Sequence, residues 1–185
     1  VESTEPLELV VLHGPTPADV VRELGDVFGR PTAPEDWAWG PWMAIQGGQQ
    51  TVLDEADALD AAMVPYTALW AQDWVGREFI TGAITDIEYH WNVGLVDYPD
   101  LAALTANLHG RGKRFLGYFN PFVLTNFEHF QPMADADLLM RSADGEPLVE
   151  TFFKGRTSLP DLTMQASRDY VAGFMNTAMQ THGMD

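Results

Sequence analysis

The segment Ala68–Gly76 reads ALWAQDWVG. With the preceding VPYT it forms an apolar run that predicts a strand over Val64–Gln72, closed by an amide, a carboxylate and an indole at Gln72, Asp73 and Trp74. A buried strand that ends in such side chains carries its chemistry at its lip. What flanks it decides the fold. Upstream, WGPWMAIQ (Trp39–Gln46) is a second short apolar strand, and Thr51–Met63 is a helix with Val52, Leu53, Ala56, Leu59 and Met63 on one face. Downstream, Ala102–His109 is a helix introduced by DYPD and ended by Gly110 and Gly112, and KRFLGYFNPFV (Lys113–Val123) is a third strand. A long helix follows over Thr163–Gly183, with Tyr170, Phe174 and Ala178 stacked, Val171, Met175 and Met179 beside them, and Gly183 as its cap.

Apolar strands separated by amphipathic helices mean parallel βαβ units, their strands covered on both faces. The long connections, Trp74–Pro99 and Asn120–Asp161, both follow strand C-terminal ends, whereas the returns from helix to strand are tight. Long connections confined to one end match the face on which βα barrels build their sites. Gathered at that face are Gln46 with Gly47 and Gly48, then Gln72, Asp73 and Trp74, then Asn120 with Pro121. Amides and a carboxylate pair with hydroxyls, and an indole offers a platform for the apolar face of a sugar ring, so a carbohydrate pocket is the functional reading. The alternative is that Trp70 and Trp74 are packing residues and Gln46 a satisfied buried amide.

The N-terminal part differs from this pattern. Leu7–Leu12 predicts a buried strand. In GPTPADVVRELGDVFGRP, Thr16 is a candidate N-cap, Pro17 occupies the first helical position, and Val20, Val21, Leu24, Val27 and Phe28 repeat at helical spacing up to Gly29 and Pro31. PTAPEDW is an extended linker, placing a boundary between residues 1–34 and 35–185. The chain opens without methionine, which suggests a piece of a longer protein.

Composition narrows the function. The 185 residues are 46% hydrophobic and 11% aromatic, enough for a packed core. A formal charge of −17, with only Lys113 and Lys154 as lysines, disfavours nucleic acid and anionic membrane surfaces. The absence of cysteine removes disulfides and thiolate chemistry. No apolar run approaches the roughly 18 residues of a membrane span. The N-terminus lacks the basic start of a signal peptide, so a cytoplasmic location is expected. His13, His90, His109, His129 and His182 form no ligand spacing, QGGQQ lacks the lysine of a phosphate loop, and no cofactor or metal is expected. RGKR reads as a solvated basic turn, DEADALD as an exposed helix face, and Met133, Met140, Met164, Met175 and Met179 as gap-filling core.

Several spaced motifs resemble glycoside hydrolase family 31. GPTPADVVRELGDVFGRPTAPEDWAWGPWM looks like the junction at which that family's N-terminal β-sandwich passes through a linker helix into a (β/α)8 TIM-type barrel, and IQGG, WAQDWVG, KRFLGYFNPFV and LPDLT look like its α-glucosidase and sulfoquinovosidase-like branch. The resemblance implies that the chain holds the first three βα units of the barrel and stops before the fourth strand. It also implies a retaining α-glycoside hydrolase without cofactor or metal, acting on an α-glucoside-type or 6-substituted glycoside. Gln46 and Gln72 match glutamines that hold the substituent at sugar carbon 6, Trp91 in HWN matches a tryptophan of the same pocket, and Asp73 and Trp74 would line it. The arginine expected three residues before that tryptophan is replaced by Glu88. A carboxylate there repels a sulfonate, leaving a neutral hexoside an equal candidate, unless Arg77 supplies the cation. The catalytic nucleophile and acid/base aspartates are expected beyond Asp185; Asp161 is expected to order its loop or cap the next helix, and the chain by itself to be inactive. Other readings are a non-catalytic carbohydrate-binding or degenerate member, and a transglycosylase of the same family. Three strands with open edges also need the rest of the barrel for stability.

Overall fold

The computed structural model describes residues 9–81, 84–87, 90–152 and 155–185. The chain divides into two compact units, Val1–Glu35 and Asp36–Asp185.

In the first unit, α1 spans Pro17–Phe28. Its start is set by a capping box: the Thr16 hydroxyl accepts from the Asp19 amide, and the Asp19 carboxylate accepts from the Thr16 amide. Val21, Leu24, Val27 and Phe28 remain exposed, so local capping rather than burial defines this helix. Among the described residues the predicted opening strand is not formed. Residues 9–14 lie outside helix and strand, Leu9 and Val11 are 76% and 74% exposed, and residues 7 and 8 lie outside the described residues. An apolar run becomes a strand only where another strand completes its ladder, and among the described residues none does.

The second unit carries the βα pattern. β1 (Trp42–Ala44) leads through Gly47 and Gly48 into α2 (Gln49–Ala61). β2 (Ala68–Ala71) follows, then a hairpin of β3 (Arg77–Thr81) and β4 (Ile84–Ile87), then α3 (Leu101–Gly110), capped by the Asp100 side chain. β5 (Arg114–Gly117), β6 (Val123–Leu124), α4 (Phe130–Asp135), β7 (Glu150–Phe152), β8 (Gly155–Ser158) and α5 (Gln165–Gln180) complete the order. β1, β2 and β5 form a parallel sheet in that order, with Ala44 beside Trp70 and Trp70 beside Leu116.

Strand alternation sorts this sheet into two faces. Leu69, Ala71 and Phe115 belong to the main core with Val52 and Ala56 of α2, Leu101, Leu104 and Leu108 of α3 and Ala178 of α5, while Met43 and Ile45 pack against it. Trp42, Trp70 and Leu116 are the alternate residues and belong to the other face, where Trp42 is 50% exposed. The backbone N–H of Asp185 donates to the Phe115 carbonyl at 3.0 Å, which sets the residues after α5 beside β5.

Three expectations are corrected, and the long connections gain elements of their own. Met63 is 88% exposed, because the helix ends at Ala61 and Met63 has a left-handed backbone, φ 54°. Of the five core methionines only Met133 is buried; Met140, Met164, Met175 and Met179 are between 38% and 56% exposed. The long connections are structured: the first holds the β3–β4 hairpin, and the second an antiparallel sheet of order β6-β8-β7 with α4. The cations of RGKR are paired: Arg111 bridges Asp57 and Asp60 of α2, Lys113 donates to the Tyr66 carbonyl, and Arg114 meets Asp185.

Candidate functional site

The C-terminal ends of β1, β2 and β5 are laced together by side chains from the lip positions. Gln46 Nε2 donates to Gln72 Oε1 at 2.8 Å, linking the first two strand ends, and Gln46 is exposed. Asp73 lies beneath this pair, wholly buried. One of its oxygens accepts from the Gly47 backbone N–H at 2.7 Å and the other from the Tyr98 hydroxyl at 2.6 Å. Arg77 adds an ion pair, Nε to Asp73 Oδ2 at 3.4 Å, and its other end meets Asp97 at 2.5 Å. Burial first, and then the hydrogen bond to Asp73, pushes the Tyr98 phenol far above its ordinary range. The hydrogen bond to Asp97, working against desolvation, holds the Arg77 guanidinium more firmly protonated than usual.

The backbone follows from this knot. Gly48 has φ +87°, and a Cβ there would stand 2.9 Å from the Asp97 carbonyl oxygen, so glycine alone lets the loop after β2 press against the end of β1. Gln49 N–H donates to that same carbonyl, and the Gln49 side chain accepts from the Asp100 amide.

Both tryptophans are structural struts. Trp74 is 1% exposed; its indole N–H donates to the Tyr118 carbonyl at 2.9 Å and its ring lies 5.0 Å from Phe119. Trp91 is 4% exposed, donates to the Asn120 carbonyl at 2.8 Å, and has a left-handed backbone, φ 56°, uncommon for so large a residue. Trp91 belongs to a second buried cluster with Val123, Met133, Leu138 and Leu139, and Phe119 packs against both clusters. Gln46, Gln72, Asp73 and Trp74 are therefore brought together at one lip, while Trp91 stands with Asn120 beside it. Glu88 lies outside the described residues.

Sequence reasoning missed Tyr98, whose DYPD context read only as a helix entrance; of the histidines, read as forming no ligand spacing, two lie beside the second cluster. His129 is buried, stacks on Trp91 with centroids 5.3 Å apart and meets the His90 carbonyl, while His90 Nδ1 contacts Glu128 Oε2 at 2.8 Å. Burial raises the Glu128 carboxyl, but hydrogen bonds from its own backbone and from His90 outweigh that and leave it below its ordinary value. Among the described residues no three His, Asp or Glu side chains converge as a metal would require. Asp161 orders its loop, as expected: its Oδ1 accepts from the Thr163 amide and hydroxyl at 3.0 and 2.6 Å, which lowers its pKa.

Parallel βα units with amides, aromatics and long insertions at the strand C-terminal ends define a barrel-type domain with its site at that face. The family model for the glycosyl hydrolases family 31 TIM-barrel domain matches residues 31–185, and the chain belongs to that family. The parallel sheet and its helices are thus the first three βα units of a barrel that this chain does not close. Among relatives, the sulfoquinovosidase of Agrobacterium fabrum is 28% identical over 169 residues, 90% of this chain and 25% of that protein. The sulfoquinovosidase of Escherichia coli is 27% identical over 78% of this chain and 21% of that protein, and the lysosomal alpha-glucosidase of Rattus norvegicus 23% identical over 89% and 17%. The solved family 31 sulfoquinovosidase from E. rectale, in complex with an aza-sugar inhibitor, superposes with a TM-score of 0.80 at 23% identity, over 90% of this chain and 25% of that one. The chain spans about a quarter of the length of the first two of these relatives.

Proposed function

We propose that the protein to which this chain belongs is a retaining α-glycoside hydrolase, and that the chain supplies one wall of the subsite for the sugar whose bond is broken. The observation that carries this reading is the Gln46–Gln72 pair. Their mutual bond uses the Gln46 amide nitrogen and the Gln72 carbonyl, which leaves the Gln46 carbonyl as acceptor and the Gln72 nitrogen as donor for sugar hydroxyls. Asp73, buried and hydrogen-bonded through both oxygens, holds the two strand ends at the right spacing rather than attacking the sugar. A retaining mechanism needs two carboxyl groups about 5 Å apart, one forming a glycosyl-enzyme ester and the other passing the proton between leaving group and water. Both come from beyond Asp185. Gln46 and Gln72 contribute orientation.

The substituent at sugar carbon 6 is read as neutral. Arg77, the cation of the loop after β2, is held between Asp97 and Asp73, which favours hydroxyl over sulfonate. A sulfonated sugar is the second reading, favoured by the two relatives named sulfoquinovosidase. Its anion requires a cation other than Arg77.

The test is hydrolysis of aryl α-glucoside and aryl α-sulfoquinovoside by the complete protein. Turnover of the glucoside, with kcat/KM lowered about 10- to 100-fold in Gln46→Ala and Gln72→Ala, is expected. Preference for the sulfoquinovoside selects the second reading. Binding without turnover of either identifies a non-catalytic member, and transfer to added sugar instead of water a transglycosylase.

A further inference from the structure

The antiparallel sheet β6-β8-β7 encloses a cavity of about 140 Å³ lined by Phe122, Met140, Leu148, Phe152, Ser158 and Leu159. Phe122 and Phe152 stack with centroids 4.4 Å apart. Ser158 is 3% exposed, and its hydroxyl is buried without a hydrogen-bond partner. A buried hydroxyl left unpaired costs free energy, so its presence in a largely apolar lining, where the neighbouring Thr157 hydroxyl already donates to the Glu150 carbonyl, marks a place where a ligand atom completes the bond. The volume is that of a single ring: an apolar cavity of roughly 150 Å³ accommodates benzene.

Its position ties it to the site above. Phe122 lies two residues past Asn120, and its amide donates to Asn120 Oδ1 at 3.0 Å; Asn120 in turn receives the indole N–H of Trp91. The cavity therefore belongs to the insertion that leaves the C-terminal end of β5, the same end at which β1 and β2 present Gln46 and Gln72. Glu150 is its one charged lining residue among those described, which disfavours an anionic occupant.

We propose that this cavity is the subsite for the leaving group, and that it takes a neutral ring-sized apolar aglycone whose polar atom bonds the Ser158 hydroxyl. The proposal rests on the glycosidase reading. Its test compares benzyl and methyl α-glycosides of the same sugar with the complete protein; both release a simple primary alcohol, so a difference reports binding of the ring rather than leaving-group acidity. The expected kcat/KM ratio of benzyl to methyl is about tenfold or more, falling toward unity in Phe122→Ala and in Leu148→Trp, which fills the cavity. Ser158→Ala is expected to lower the same ratio. Hydrolysis of both glycosides with a ratio that the variants leave unchanged overturns the subsite and leaves the glycosidase reading intact. If neither is hydrolysed, the glycosidase reading fails, and saturation-transfer NMR with benzyl alcohol decides the cavity separately. Transfer present in the parent and lost in Leu148→Trp upholds the site; its absence in the parent overturns it.

Discussion

Asp73 shows how far a residue's role depends on its surroundings. In the sequence it is a carboxylate beside two amides, a natural candidate to touch a sugar; in the fold it is fully buried and binds Gly47, Tyr98 and Arg77. Removing a buried partner strands the others, so Asp73→Ala should cost about 3 to 5 kcal/mol in the complete protein, read from denaturant midpoints. A loss under about 1 kcal/mol would remove Asp73 from this role. Tyr98 makes a pH prediction. Its phenol ionises near 10.0 in an unfolded chain but stays protonated in the fold, where burial and then Asp73 oppose the anion. Above that pH the unfolded state binds fewer protons, so stability is full below about pH 10 and falls as pH rises beyond it. Melting temperatures of the parent should drop from about pH 10 to 11 more steeply than those of Tyr98→Phe. Parallel curves would contradict the buried phenol.

Among the elements, helices were the most legible, because caps and periodicity are local. Thr16 and Pro17 announced α1, and the structure starts the helix there with a capping box closed by Asp19, although most of the helix's apolar stripe stays exposed. Thr16→Ala should therefore fray α1 from its N-terminus, speeding hydrogen exchange of the Asp19 amide about fivefold. Unchanged exchange would mean that something other than the cap holds the first turn. Strands came out shorter than read: Val64–Gln72 contains only Ala68–Ala71 as ladder, since apolar character extends beyond the residues that find a partner. The antiparallel elements of the two long connections were illegible. β6 and β8 are separated by α4 and β7, and no short-range signal records a pairing made across such a distance.

At the scale of the whole molecule, the parallel sheet offers one helix-covered face and one face that carries Trp42, half exposed, and Trp70, only partly buried against Tyr118. Residues 36–185 produced alone should associate, detectable by light scattering, whereas the complete protein should be monodisperse under the same conditions. A monomeric, cooperatively melting fragment would show that these three βα units stand by themselves.

The βα alternation, the lip positions Gln46, Gln72, Asp73, Trp74 and Asn120, and the family were legible before folding, because all of these are written in short-range pattern and residue type. Which of them remain available to a ligand depends on the folded arrangement. Gly47 and Asp73 meet across 26 positions and Trp91 and Asn120 across 29, and such contacts are what turn two candidate sugar platforms into buried struts and leave the Gln46–Gln72 pair at the surface. Burial and hydrogen-bond satisfaction are properties of neighbours in space, and a linear pattern specifies who those neighbours are only once the chain has folded.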